Sequence, residues 1–272
     1  MIGIARPPVC APRIPEMKHI LIVPLLGLLA ACSTPTQQTG LLSTYDGLTV
    51  KPGAVRASVS DRKDEAGLGK VQRVSLSPTL VAENTAAWMT PVERTTLLRE
   101  IDAQLCFELS ERYEIAAPEA AADAKVHAIL SQVRPTGRVS SAASAAAGFF
   151  IPGPIGVRAP GTLGGLGVEA EMVAPDGKQL AAITWTRQGM AVGTDNPSLS
   201  RIGDALQFAE PFADDAAKAM TAKDRKPIKI AKPDPCAQYG SRMRVEGMAA
   251  KFATGLYVPQ MSGAKAETPA KP

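Results

Sequence analysis

Histidine, cysteine and long apolar runs are all scarce in this 272-residue chain, and each scarcity closes off a class of function. There are two histidines, His19 and His127, and four cysteines, Cys10, Cys32, Cys106 and Cys236. A metal centre needs several such ligands at close spacing, and the chain has none, so no metal is expected. No Gly-x-Ser-x-Gly elbow or other nucleophile signature accompanies His127. A catalytic dyad therefore lacks its partner, and no catalytic residue is expected. Gly165-Leu166-Gly167-Val168-Glu169-Ala170 matches the loose dinucleotide pattern. Phosphate cradling needs that pattern at a helix start, whereas here it leads into an alternating strand, so no cofactor is expected. A formal net charge of +4 with both signs interspersed is too weak a footprint for nucleic acid.

The apolar content that does stand out is at the beginning. Met17-Lys18-His19 is basic, Ile20 to Leu29 is almost wholly apolar, and Leu29-Ala30-Ala31-Cys32 closes with small residues and a thiol. A basic start, an apolar core of roughly ten residues and a small-residue ending describe a secretory signal, too short to span a bilayer. Residues 1–16 carry Pro7, Pro8, Pro12, Pro15 and Glu16 and do not fit that signal, so Met17 is the more natural start. The Leu-Ala-Ala-Cys ending resembles the lipobox of bacterial lipoproteins. That resemblance implies cleavage before Cys32, acylation of its sulfur and of the new amino terminus, and hence a membrane partner reached through lipid. Ser33, where aspartate would signal inner-membrane retention, resembles the outer-membrane default. The expected address is the periplasmic face of the outer membrane.

Removing residues 1–31 takes away three cations and one anion, lowering the formal charge to +2. With Cys10 excluded and Cys32 acylated, Cys106 and Cys236 remain. In an oxidising periplasm they form either a disulfide or two independently buried thiols, and the disulfide is the expectation.

Along the chain, residues 32–70 read as a polar, lipidated tether. Val71 to Glu83 reads as a strand despite Pro78, which suggests an edge or a bulge. Thr90-Pro91-Val92-Glu93 forms a capping box. Behind it Leu98, Ile101, Leu105, Leu109 and Tyr113 recur at helical spacing, predicting an amphipathic helix of about six turns. Ala124 to Val133 is a strand. Gly167 to Ala174 and Gln179 to Arg187 form a hairpin around Pro175-Asp176-Gly177-Lys178. Alternation in its first strand sends Glu169 and Glu171 outward, to solvent. Ile202, Leu206, Ala209, Ala213, Ala216 and Met220 mark a second helix. The order strand-helix-strand-hairpin-helix predicts a single α+β domain over 71–222, with two helices on one face of a small, mainly antiparallel sheet. Residues 223–272 follow as a basic linker and tail, part of which should dock on the domain. His127 reads as a structural residue, and Trp88 and Trp185 as packing residues.

The insertion at 138–167 is long and rich in Gly and Ala. Its apolar segment 142–164 makes Phe149, Phe150, Ile151 and Ile155 candidate partner contacts.

Gly40-Leu41-Leu42-Ser43-Thr44-Tyr45-Asp46-Gly47-Leu48 resembles the DUF3313 lipoproteins, a bacterial family of unknown function. The pattern continues through strand, helix, hairpin and last helix over most of 40–220. The resemblance implies a periplasmic lipoprotein and supplies no catalytic residues. The chain is thus expected to be a non-enzymatic module of envelope interaction or assembly, binding an unknown envelope protein or itself. The alternative is an oligomeric component of a secretion or pore-like assembly, with 142–164 at subunit or membrane contacts.

Overall fold

The hairpin that the turn chemistry predicts is the centre of the molecule. A computed structural model describes residues 38–52, 56–117, 120–138, 141, 156–158 and 163–266. In it, β8 (Gly165–Val173) and β9 (Gln179–Gln188) pair antiparallel along nearly their whole length. Gly177 takes φ +85° at the turn, a conformation that favours glycine, and Lys178 N–H donates to the Asp176 carboxylate at 3.0 Å.

Around this hairpin lies an eight-stranded sheet. Its other strands are β1 (Thr49–Val50), β2 (Ala57–Lys63), β3 (Arg73–Leu76), β4 (Leu80–Val81), β5 (Glu114–Ile115) and β6 (Ala124–Arg134), while β7 (Gly156–Val157) and β10 (Val192–Gly193) pair with each other apart from it. The spatial order is β1-β2-β9-β8-β6-β3-β5, with β4 also on β6. The α+β class holds. The sheet, however, is mixed and larger than the expected small antiparallel one, because β3 and β4 run parallel to β6, and β5 parallel to β3. The strand expected over 71–83 is two pieces. Pro78 has no amide to donate, and the ladder breaks there. Thr79 turns away instead, donating from N–H (2.9 Å) and Oγ1 (2.6 Å) to Asp102 on the helix behind.

The tether reading of 32–70 does not survive over its described part. Residues 57–63 form β2, paired to β9 over seven positions, and α1 (Glu65–Lys70) follows, capped by Asp64. In β2 only Val59 is buried, so the segment shows no apolar alternation. It is a strand because β9 offers it a backbone ladder, not because of its own side chains.

One sheet face carries the helices α2 (Pro91–Ser110) and α3 (Gly203–Ala219). The capping box forms as expected, with Glu93 N–H to Thr90 Oγ1 at 3.2 Å and Thr90 N–H to Glu93 Oε2 at 2.9 Å. Leu97, Ile101, Leu105, Leu109 and Tyr113 enter the core against Val126, Ala128 and Leu130 of β6 and Val168, Ala170 and Met172 of β8. Helix α3 presents Ala205, Ala209, Ala213 and Ala216, small enough for close approach, with Phe208 and Phe212 between them. Trp185 meets Phe212 edge-on at 5.8 Å and donates from Nε1 to Asp215 at 2.9 Å, a packing residue as read. Trp88 is partly buried, with the Arg201 guanidinium over its ring.

The tail docks on α2. Cys236 is bonded to Cys106, and Arg242 forks onto Asp234 while donating to the Phe107 carbonyl and Ser110 Oγ near the end of α2. Arg244, at the start of α4 (Val245–Thr254), reaches the buried Glu100 at 2.6 Å. The short helix α5 (Pro259–Ser262) closes the described tail. No helix of the described residues is long and apolar enough to cross a membrane.

Candidate functional site

The opposite sheet face holds the most unusual chemistry of the described structure. Alternation puts His127 and Ile129 of β6, Glu169 and Glu171 of β8, and Ala182 and Thr184 of β9 on that side. Strand register sets His127 directly against Glu171, and Ile129 against Glu169. An alternating pattern normally sends such carboxylates to water. Here each is only 1% exposed, which overturns the reading of Glu169 and Glu171 as solvated exterior residues.

What covers them is the segment Thr39–Leu48, a strap laid across the sheet. Leu42, Tyr45 and Leu48 pack on Ile129 and Ala182. Glu169 accepts from Thr39 N–H (3.0 Å), Thr39 Oγ1 (2.6 Å) and Tyr45 OH (2.7 Å). Glu171 accepts from Ser43 N–H (2.9 Å), Ser43 Oγ (2.9 Å) and Gln179 Nε2 (2.5 Å), with His127 Nε2 at 2.9 Å. Were the strap to lift, Glu169 would lose its Thr39 and Tyr45 donors, while Glu171 would lose Ser43 and keep Gln179 and His127, so the strap is what satisfies the first carboxylate and completes the second.

Burial alone would raise the Glu171 carboxyl. Hydrogen bonds from His127, Gln179 and Ser43 outweigh it and hold the group at about 2. A carboxylate that acidic is a weak base. It also lies between Ser43 and His127, where a catalytic triad would place the imidazole. The arrangement fastens the strap to the sheet. The contact of its Nε2 with Glu171 gives His127 a place in that clamp.

Beside the strap runs a groove of about 880 Å³ bordered by Ser43, Ser77, Pro78, Leu80, His127 and Pro175. Among the described residues no cluster of three or more His, Cys, Asp or Glu could hold a metal ion. Cys32 and the candidate contacts Phe149, Phe150, Ile151 and Ile155 lie outside the described residues. The sequence held a signal for the strap: hydroxyls at 39, 43 and 45, and two glutamates alternating in an apolar strand. Nothing local showed that the two sets meet across about 130 residues.

Glu171→Gln is expected to loosen the strap, read as faster amide exchange at Leu42 and Ser43 while β8 stays protected. In the unaltered protein the depressed Glu171 value means the clamp is complete above the ordinary carboxyl value of 4.5. It is lost progressively as pH falls from there through about 2. Amide exchange followed from pH 6 downward, corrected for intrinsic rates, checks this. A strap equally protected at every acidic pH would contradict it.

A mixed sheet with helices on one face and a carboxylate-bound strap on the other defines the class of this fold. Residues 37–216 match the family model described as "Protein of unknown function (DUF3313)". The chain belongs to the DUF3313 family, and the strap lies within the matched residues. Among curated proteins none matches the sequence. Among solved structures the chain resembles the PelC dodecamer from Paraburkholderia phytofirmans, at 12% identity and a TM-score of 0.37. That match covers 62% of this chain and 99% of that one. It also resembles a DUF4136 family protein from Bacteroides thetaiotaomicron, at 11% identity and a TM-score of 0.35 over the same shares. Likenesses this distant assign no activity or oligomeric state to the present chain.

Proposed function

We propose that this protein is a lipid-anchored, non-enzymatic interaction module on the periplasmic face of the outer membrane. The observation that carries the reading is the Met17–Cys32 stretch, a basic start and short apolar core ending in Leu-Ala-Ala-Cys. The Cys106–Cys236 disulfide suits the oxidising compartment such a signal leads to. A buried carboxylate pair spent on fastening the strap, with no activated nucleophile beside it, supports binding rather than catalysis. Two or more acyl chains make a stable anchor, since each buried methylene contributes about 0.8 kcal/mol.

The test is mass spectrometry of the mature protein with membrane fractionation. The amino-terminal peptide should begin at Cys32 and carry acyl groups, and the protein should sediment with outer membranes. Cys32→Ala should leave an uncleaved precursor without them. A mature chain whose Cys32 sulfur is bare would end the proposal.

A further inference from the structure

We infer that the strap-bearing face of the sheet is the face presented to the lipid surface, an inference that rests on acylation of Cys32. The reasoning starts from chain length. Thr39 is seven chain steps beyond Cys32. Seven residues at full extension reach about 25 Å. Thr39 is no frayed end, because its N–H and Oγ1 are both bound to the buried Glu169 in the middle of the sheet's outer face. The acylated cysteine is held at the membrane surface, so this point of the domain is held within that distance of it.

A folded unit of about 200 residues is about 40 Å across, and half its circumference is about 60 Å. A 25 Å leash fixed on one face cannot pass around the body to bring the other face down. The helix layer therefore points away from the lipid. This assignment is not the one that exposed apolar surface alone would suggest. The C-terminal α4 shows Val245, Met248 and Phe252 at helical spacing, with Phe252 94% exposed. It is attached through Arg244 to Glu100 of α2, on the far side of the sheet from the strap. The leash leaves it the wrong way round for the anchoring membrane. On the strap side, Leu41 (49% exposed) on the strap itself and Leu80 (54% exposed) beside the Pro78–Pro175 groove are the apolar groups that meet the lipid headgroups.

The experiment uses the full lipidated protein in phospholipid vesicles carrying a spin label on the headgroup. A fluorophore is attached at Leu80→Cys or at Phe252→Cys, both exposed positions that tolerate replacement. Quenching is expected to be severalfold stronger at 80 than at 252. A Gly/Ser insert of about 30 residues after Pro35 adds a mean reach of about 30 Å and should abolish the difference. Equal quenching at both sites, or stronger quenching at 252, in protein whose acylation has been verified would overturn the orientation while leaving the anchor intact. A difference that persists with the long insert would overturn the leash as its cause. Protein found unacylated would defeat the anchor reading, and this inference with it.

Discussion

Asp204→Ala is expected to destabilise the fold by about 3–5 kcal/mol, because it leaves a buried guanidinium with no counter-charge. Asp204, in the first turn of α3, is fully buried and accepts from Arg158 Nη1 at 2.6 Å and Nη2 at 2.9 Å, a two-point fork. It also accepts from Gly164 N–H at 2.7 Å, while its own N–H donates to Thr136 Oγ1 at 3.0 Å. Thr136 and Gly164 are the points where the chain leaves β6 and returns to β8. Asp204 therefore ties down both ends of the insertion that contains Phe149, Phe150, Ile151 and Ile155, its carboxylate holding Gly164 and Arg158 and its backbone N–H holding Thr136. Thermal or urea unfolding measures the loss, and limited proteolysis should show new cuts near residues 136–164. The double variant Asp204→Leu/Arg158→Met should recover much of the stability, since removing both charges removes the desolvation they share. Recovery will be partial, because Gly164 N–H still lacks its acceptor. A single variant that unfolds like the parent would show that water replaces the carboxylate, and the clamp would have to be abandoned.

The second large effect is expected from the disulfide. Cys106 and Cys236 are separated by 130 residues, and in the chain-entropy model a closed loop of that length contributes about 5 kcal/mol. Measured losses on removing native bridges run about 2–5 kcal/mol, which for a domain of this size lowers Tm by about 10 °C. The paired Cys106→Ser/Cys236→Ser variant should fall in that range. The tail should loosen before the sheet does, because its attachment to α2 then rests on polar contacts, Arg242 and Arg244 from the tail and Arg99 and Glu100 from the helix. Tryptic cleavage after Arg242, Arg244 and Lys251 should accelerate while β8 and β9 remain protected. An unchanged Tm would mean that tail and α2 are held together without the bridge.

Both effects were legible in the sequence to different degrees. The disulfide could be anticipated by elimination, since one thiol was expected to carry lipid and one to lie outside the mature chain. The Arg158–Asp204 fork could not, because a lone arginine in a Gly- and Pro-rich stretch and an aspartate in a helix start give no sign of facing each other. The same division runs through the fold. Helix α2 announced itself by capping and by a three-to-four-residue stripe, and the β8–β9 hairpin by Pro-Asp-Gly between alternating runs. Strand β2 did not, since Ser58, Ser60 and Arg62 alternate onto the strap-bearing face as polar residues while only Val59 is buried in the core.

The sequence by itself determined the α+β class, the long helix, the hairpin and the turn between its strands, because each is written in local spacing. Only the tertiary structure decided that β3 and β4 run parallel to β6, that 57–63 belongs to the sheet, and that Glu169 and Glu171 face a strap rather than water. Those outcomes depend on which distant backbone supplies a ladder and which distant hydroxyl or amide meets a carboxylate. Pairings across more than a hundred residues leave no period in the chain. They are selected by burial, which makes an unmet charge costly only once the whole sheet has closed over it.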